Sequence, residues 1–220
     1  MEDLVMKSQL NMIKISLILL ITVFFLLMLV ACKNKENEKV QYCVAEETDP
    51  VTNEVTKTEW AIGENCPAGG IVFYDKGDDS DSWRYLSVSP VTNEFTAMYS
   101  EDWYGLGYIE DEIGTGKRNT EIIVEHFNQT EEQNTAAQLC VALNIGGFSD
   151  WFLPSINELN QMFINLYEKG LGDFSEEAYW SSSQDNWKYS KMQYFAKDGR
   201  DKYAGNLKNT PAKVRAIRAF

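Results

Sequence analysis

The side chains that could carry out chemistry are few in this sequence, and each motif that contains them is incomplete. His126 is the single histidine, so a Ser-His-Asp triad would depend on it alone, and no G-x-S-x-G motif supplies a nucleophile. The stretch GTGK, residues 114–117, has the glycines and lysine of a phosphate-binding loop. That motif requires a glycine where Asp111 stands and Ser or Thr where Arg118 stands. We therefore predict a turn at GTGK, a polar residue on a short helix at His126, and a protein that is not an enzyme.

Four carboxylates lie close together in the stretch DKGDDSDS: Asp75, Asp78, Asp79 and Asp81. Calcium prefers such oxygen ligands, but their spacing differs from the D-x-[DN]-x-[DN]-G loop. The sequence also lacks EPN, QPD and WND, the motifs of calcium-dependent sugar-binding lectins. We predict a solvated hairpin tip and no cofactor, with calcium at this loop as the alternative.

Aromatic residues are plentiful, and many fall in predicted loops or at strand ends, where flat rings can stack on sugars or anchor a protein partner. These are Trp103, Tyr104, Tyr108, Trp180, Trp187, Tyr189 and Tyr203. Glycine or charged neighbours favour exposure of Trp103, Tyr104 and Trp187. We assign Trp151 and Trp180 to the interior. The predicted ligand-binding residues are Trp103, Tyr104, Trp187 and Tyr189.

The chain begins with a pattern typical of a targeting segment. Lys7 and Lys14 precede the apolar run ISLILLITVFFLLMLV, which ends in LVAC at residues 29–32. This ending resembles a bacterial lipobox. The resemblance implies a signal peptide over residues 1–31, attachment of lipid, including palmitate-type acyl chains, at Cys32, and a lipidated tether over residues 32–39.

Two alternatives to this reading of the amino terminus stay open. An uncleaved signal anchor is one, because the apolar run is close to the roughly 20 residues that a bilayer needs. A start at Met12 instead of Met1 is the other. By analogy with some bacteria, Lys33 after the lipidated cysteine favours a place in the cell envelope at the outer membrane or cell surface.

The charge balance argues against nucleic acid as a partner. Residues 1–31 contain two acids and two bases, so the mature chain keeps the net charge of −13 of the full sequence. Nucleic-acid binding requires a basic face, and no lysine or arginine cluster stands clear of the surrounding acids. The predicted partners are membrane lipid, through Cys32, and a glycan or an envelope or host protein.

Three cysteines remain after Cys32 is lipidated, so one of them is left unpaired in an oxidising compartment. We prefer a disulfide between Cys43 and Cys66, which both lie in a turn-rich stretch. Cys140 falls on the apolar face of a predicted helix, where a buried thiol behaves as a small hydrophobe.

The coarse pattern predicts a small β-rich segment over residues 40–68 and a main domain over residues 69–220. Two short strands around a turn at residues 49–53 form the segment, and the main domain opens with a strand at residues 71–74 paired with WRYLSV. Three later stretches alternate as in an antiparallel sheet: AYWSSS, KMQYFA and KVRAIRAF. The last is predicted to pair back near the start of the domain.

Two helices are predicted between these strands. Thr130 and Gln133 match a capping box, and an apolar face follows at Ala136, Leu139, Cys140 and Leu143. In DWFLPSINELNQMF, Ser155 and Glu158 match a second capping box. The buried stripe of this second helix is predicted at Ile156, Leu159, Met162, Phe163 and Leu166, and Gly170 closes it. The fold class is therefore α+β.

Six stretches in this order resemble the Lcl C-terminal family of bacterial surface proteins, named for a collagen-like adhesin: GGIVFYD, WRYLSVSP, IGTGKRNT, DWFLPSINELNQMF, YWSSS and VRAIRAF. The resemblance implies a C-type lectin-like fold, with two helices packed on a twisted antiparallel sheet, and a binding or adhesion role. The formylglycine-generating relatives of that fold use a late cysteine pair, and this chain has no cysteine after Cys140.

The predicted function is therefore that of a membrane-anchored envelope lipoprotein with a lectin-like or adhesin-like domain for glycan or protein ligands. The alternative is a structural envelope lipoprotein that contacts only other envelope components.

Overall fold

A computed structural model describes residues 46–48, 55–57, 59–66, 69–102, 105–107, 109–196 and 203–220. Residues 44–220 form one compact unit. Its described part is mixed α+β, with a short hairpin, two larger sheets and three α-helices. Cys32 and the rest of residues 1–45 lie outside it, so the predicted signal peptide and lipidation site remain predictions. No helix in the described ranges is long and apolar enough to cross a bilayer.

The ten strands and three helices of the described part follow in chain order: β1 (Glu46–Thr48), β2 (Val55–Lys57), β3 (Ile71–Asp75), β4 (Tyr85–Val88), β5 (Phe95–Ala97), α1 (Gly116–Gln129), α2 (Ala136–Val141), α3 (Ile156–Asn165), β6 (Ala178–Gln184), β7 (Tyr189–Tyr194), β8 (Tyr203–Leu207), β9 (Ala212–Val214) and β10 (Ile217–Ala219). The hairpin predicted around residues 49–53 is confirmed by antiparallel pairing of β1 with β2.

The two larger sheets have the strand orders β10-β4-β3 and β5-β9-β6-β7-β8. All neighbours pair antiparallel except β6 and β9, which are parallel. The predicted hairpin of β3 with β4 is confirmed, as is the return of the chain end to β4. The end of the domain is thus hydrogen-bonded to its beginning.

The prediction of KVRAIRAF as one strand is wrong, because the stretch divides between the two sheets. β9 ends at Val214 and β10 begins at Ile217. At the break, the Arg215 guanidinium is buried and donates to the carbonyls of Ser89 and Gly172. The chain therefore passes from one sheet to the other at Arg215, where the buried cation is bonded to carbonyl oxygens.

The strand β6 is covered on both faces, which explains why nearly all of it is buried. Neighbouring residues of a strand point to opposite faces of the sheet. Tyr179 packs with the apolar face of α3, whereas Trp180 packs with α1 and α2. Trp151 and Trp180 are both buried, as predicted.

The first predicted capping box is wrong, and the helices around it divide differently. Thr130 ends α1, which is a full 14 residues long and not short. The capping box begins α2, where the Thr135 side chain accepts from the Gln138 amide and Gln138 accepts from the Thr135 amide. Positive φ at Glu131 and Asn134 turns the chain between the two helices.

The predicted start of α3 is confirmed. Ser155 accepts from the Glu158 N–H, at 3.2 Å, and Glu158 accepts from the Ser155 N–H, at 2.6 Å. The predicted apolar stripe is buried. The α-helix ends at Asn165, and a 3₁₀ turn then leads to Gly170, which has a φ of 70°. Gly170 closes the segment as predicted, since left-handed backbone favours glycine.

Cys66 and Cys140 are both buried and are not joined to each other, and burial raises the pKa of the Cys140 thiol well above its ordinary value. The predicted disulfide partner, Cys43, lies outside the described residues. The pairing of Cys43 with Cys66 therefore stays a prediction.

Candidate functional site

A tight turn between β6 and β7 presents Trp187. The N–H groups of Asp185 and Asn186 donate to the Tyr189 carbonyl, at 3.0 and 3.1 Å. The Asn186 side-chain oxygen accepts from the N–H groups of Lys188 and Tyr189, at 2.9 and 3.0 Å. Trp187 itself is 57% exposed, more than any other large hydrophobic side chain that the structure describes. The large Trp187 ring is thus exposed to solvent, on a turn whose backbone is fixed by hydrogen bonds within the turn.

A second, sequence-distant segment lies beside this turn. A Cβ atom added to Gly105 would be 3.9 Å from the Cβ of Trp187. The Gln184 side-chain amide donates to the Gly107 carbonyl, at 3.3 Å. The predicted ligand-binding residues Trp103 and Tyr104, which immediately precede Gly105, lie outside the described residues, as does Tyr108. The fold nevertheless places Gly105, the residue that follows them, against Trp187.

Tyr189, the fourth predicted ligand-binding residue, is half-buried at the start of β7. The Lys188 ammonium lies 5.5 Å from the centroid of its ring. Only part of this ring is therefore open to a ligand, so Trp187 supplies the larger exposed surface of the pair.

Lys208 lies beneath the turn and ties three segments together. Its backbone N–H donates to the Lys188 carbonyl, at 3.3 Å, and its carbonyl accepts from the Ser100 N–H, at 3.1 Å. Its side chain is fully buried, with the amine 3.1 Å from the Gln184 oxygen and 5.3 Å from the Tyr99 ring centroid. Burial lowers the pKa of Lys208 to about 8. No pattern in the sequence distinguishes this lysine from the other lysines of the chain.

Asp185 is exposed in the turn itself, and Glu101 and Asp102 are exposed in the segment that Lys208 joins to the turn through Ser100. Glu132 fixes this segment, because its carboxylate accepts from the Ser100 hydroxyl and the Glu101 N–H. Burial raises the pKa of Glu132 above its ordinary value. The surroundings of Trp187 therefore offer hydrogen-bond acceptors next to an aromatic face, an arrangement suited to sugar hydroxyls or polar protein groups.

The acidic loop between β3 and β4 is bonded to the protein's own cations. The Lys76 ammonium lies 2.9 Å from Asp81 and 3.5 Å from Asp78, and 4.6 Å from the Trp83 ring centroid. Asp75 accepts two hydrogen bonds from the Arg84 guanidinium, which lowers the pKa of Asp75. Within the described ranges, no group of three or more His, Cys, Asp or Glu side chains is placed to hold a metal ion. A calcium ion at this loop would compete with Lys76.

The GTGK stretch is a turn at Gly114, as predicted, but Gly116 and Lys117 are the first residues of α1. The Gly114 N–H donates to Glu158, at 2.8 Å, and a Cβ atom at Gly116 would overlap the same carboxylate. Burial raises the pKa of Glu158 to about 7, although N–H hydrogen bonds from Ser155, Gly114 and Gly116 act against this rise. The sequence predicts the capping role of Glu158. It does not predict the contact of Glu158 with the GTGK turn, for which the two glycines of that stretch were the available signal.

His126 lies on α1, half-buried, with its ring 5.6 Å from that of the buried Phe127. A polar residue on a helix is what the sequence predicts there, although the helix is longer than expected.

No protein-family model matches this chain, and no curated protein matches it in sequence. The resemblance to the Lcl C-terminal family therefore stays a prediction. Among solved structures, the chain is similar to a fimbrial protein from Bacteroides ovatus, with a TM-score of 0.49 and 15% sequence identity. The similarity covers 76% of this chain and 47% of that chain, so this chain matches less than half of the fimbrial protein.

Proposed function

We propose that this protein is a lipid-anchored envelope protein whose folded domain is a lectin-like binding module, and that the Trp187 turn contacts its glycan or protein ligand. The observation that carries the proposal is the exposure of Trp187 on a hydrogen-bonded turn. A rigid aromatic side chain loses little conformational entropy on binding, which is why such residues dominate binding surfaces.

The anchor and the location belong to the same proposal. The LVAC ending of the apolar run supports lipid attachment at Cys32, and the envelope, at the outer membrane or cell surface, is the compartment that this attachment implies. The net charge of −13 supports ligands other than nucleic acid. The pairing of β10 with β4 supports a C-type lectin-like arrangement, in which the chain ends meet.

The proposal is tested by binding of the protein to glycan and envelope-protein arrays, with calcium and with a chelator. Trp187→Ala is expected to weaken the binding about 30-fold, because truncating a central aromatic contact costs about 2 kcal/mol or more. Its melting temperature should stay unchanged, since an exposed substitution changes stability by less than about 0.5 kcal/mol.

Val141→Ala is the matched control, because Val141 is an exposed hydrophobic residue on α2, away from the turn. It should leave both binding and melting unchanged. A Trp187→Ala variant that binds as well as the wild type contradicts the proposal. A folded protein that binds nothing on either array supports the alternative, a structural envelope lipoprotein.

A further inference from the structure

A lysine amine and a glutamine amide are in contact beneath the Trp187 turn. Lys208 Nζ lies 3.1 Å from Gln184 Oε1, and this contact joins the residue after β8 to the last residue of β6, across the intervening strand β7. We propose that these two side chains condense into an intramolecular γ-glutamyl-lysine cross-link, which is independent of any ligand at the turn.

Both reacting groups are held in place before reaction. The backbone of Lys208 is fixed on either side, to Lys188 and to Ser100. The Gln184 amide nitrogen donates to the Gly107 carbonyl, which orients the amide plane. Holding two groups in contact removes most of the entropy barrier to a reaction between them.

The surroundings favour the neutral, nucleophilic form of the amine. The Lys208 side chain is fully buried, beside the Tyr99 ring. Burial lowers the pKa of Lys208 to about 8, so a useful fraction of the amine is unprotonated near neutral pH. The product is a neutral amide, so the reaction also removes a charge that burial disfavours.

The reaction balances without an oxidant or a cofactor. A bond forms between Lys208 Nζ and Gln184 Cδ, and the bond from Cδ to Nε2 breaks. The proton lost by the amine passes to the departing nitrogen, which leaves as ammonia.

Tryptic digestion of the full chain and tandem mass spectrometry test the proposal. The expected product is a branched peptide that joins residues 170–188 to residues 203–213, uncleaved after Lys208 and lighter by one ammonia than its two linear parts. Lys208→Arg and Gln184→Met should each abolish it, and Lys188→Arg, a change to the neighbouring lysine, should preserve it.

The wild-type digest decides the question even where a variant fails to fold. Cleavage after Lys208, with the linear peptides 203–208 and 209–213 at unmodified mass, overturns the proposal. A branched peptide that persists in Gln184→Met also overturns it, since the acceptor would then be another residue.

Discussion

Glu158 makes the stability of this domain fall as the pH rises through neutrality. Its carboxyl is fully buried and caps α3 while it holds the Gly114 turn at the start of α1. Burial raises its pKa from the ordinary 4.5 to about 7. Between these two values the folded protein retains a proton that the unfolded chain has released, so protonation favours the folded state.

The direction and size of the pH effect on the unfolding free energy follow from these two pKa values. The stabilisation is fully present below the unfolded pKa of 4.5 and is lost as the pH rises through about 7. Between about pH 5 and about pH 8, the free energy of unfolding should fall by about 2.5 kcal/mol through this one group. Asp75, whose pKa the Arg84 guanidinium lowers, acts at more acid pH and lies outside this window.

Urea denaturation across that pH range measures the effect, with Glu158→Gln as the test variant. The glutamine cannot titrate, so the difference in unfolding free energy between wild type and variant should shrink by about 2.5 kcal/mol as the pH rises. Glu125→Gln on the exposed face of α1 is the matched control and should follow the wild type. A difference between wild type and Glu158→Gln that is constant with pH refutes the reasoning.

The remaining predictions concern the caps and the buried arginine. Thr135→Ala should destabilise the domain by about 1 kcal/mol, whereas Thr130→Ala should cost less than about 0.5 kcal/mol, and the reverse order in thermal melts would contradict the assigned cap. Arg215→Met should cost about 3–5 kcal/mol, because it removes the buried cation from Glu94, which keeps Tyr179 and Lys213 as partners, and takes the guanidinium donors from the Ser89 carbonyl. A loss below about 1 kcal/mol in urea denaturation would show that the network is dispensable.

The two capping boxes show how far the sequence predicts this fold. The T-x-x-Q pattern occurs at Thr130 and again at Thr135, so local sequence does not decide between them. The structure does, since the Ala136 N–H donates to the Met98 carbonyl and Ala136 is buried. At Ser155 there is one pattern and one helix, so the prediction holds. A capping-box pattern predicts the start of a helix correctly when no second match lies nearby.

The sequence predicts the exposed aromatic ring of the candidate site but not the buried contacts beneath it. Charged neighbours correctly indicate that Trp187 is exposed. The contact of Lys208 with Gln184 depends on the alignment of β6, β7 and β8, which neither residue type nor spacing encodes. In the same way, the break of the last strand at Arg215 arises from carbonyls far away in the chain. Long-range polar contacts are therefore the part of this structure that pattern reading misses.

Polar contacts of this kind also hold the segment that lies beside the Trp187 turn. The described parts of residues 100–116 are held by side chains of several elements, rather than by pairing within a sheet. The anchors are Glu132 on Ser100 and Glu101, Gln184 on Gly107, Asn119 and Ser183 on Glu110, Lys191 on Asp111, and Glu158 on Gly114. Most of these anchors bind backbone atoms, so an exposed side chain between them, such as Asp102, can vary without loss of the fold, whereas Leu106 is buried in the core. If the proposed site is correct, Asp102→Ala should change binding beside Trp187 while the melting temperature stays constant, whereas Glu132→Ala, which removes an anchor, should weaken binding and lower the melting temperature.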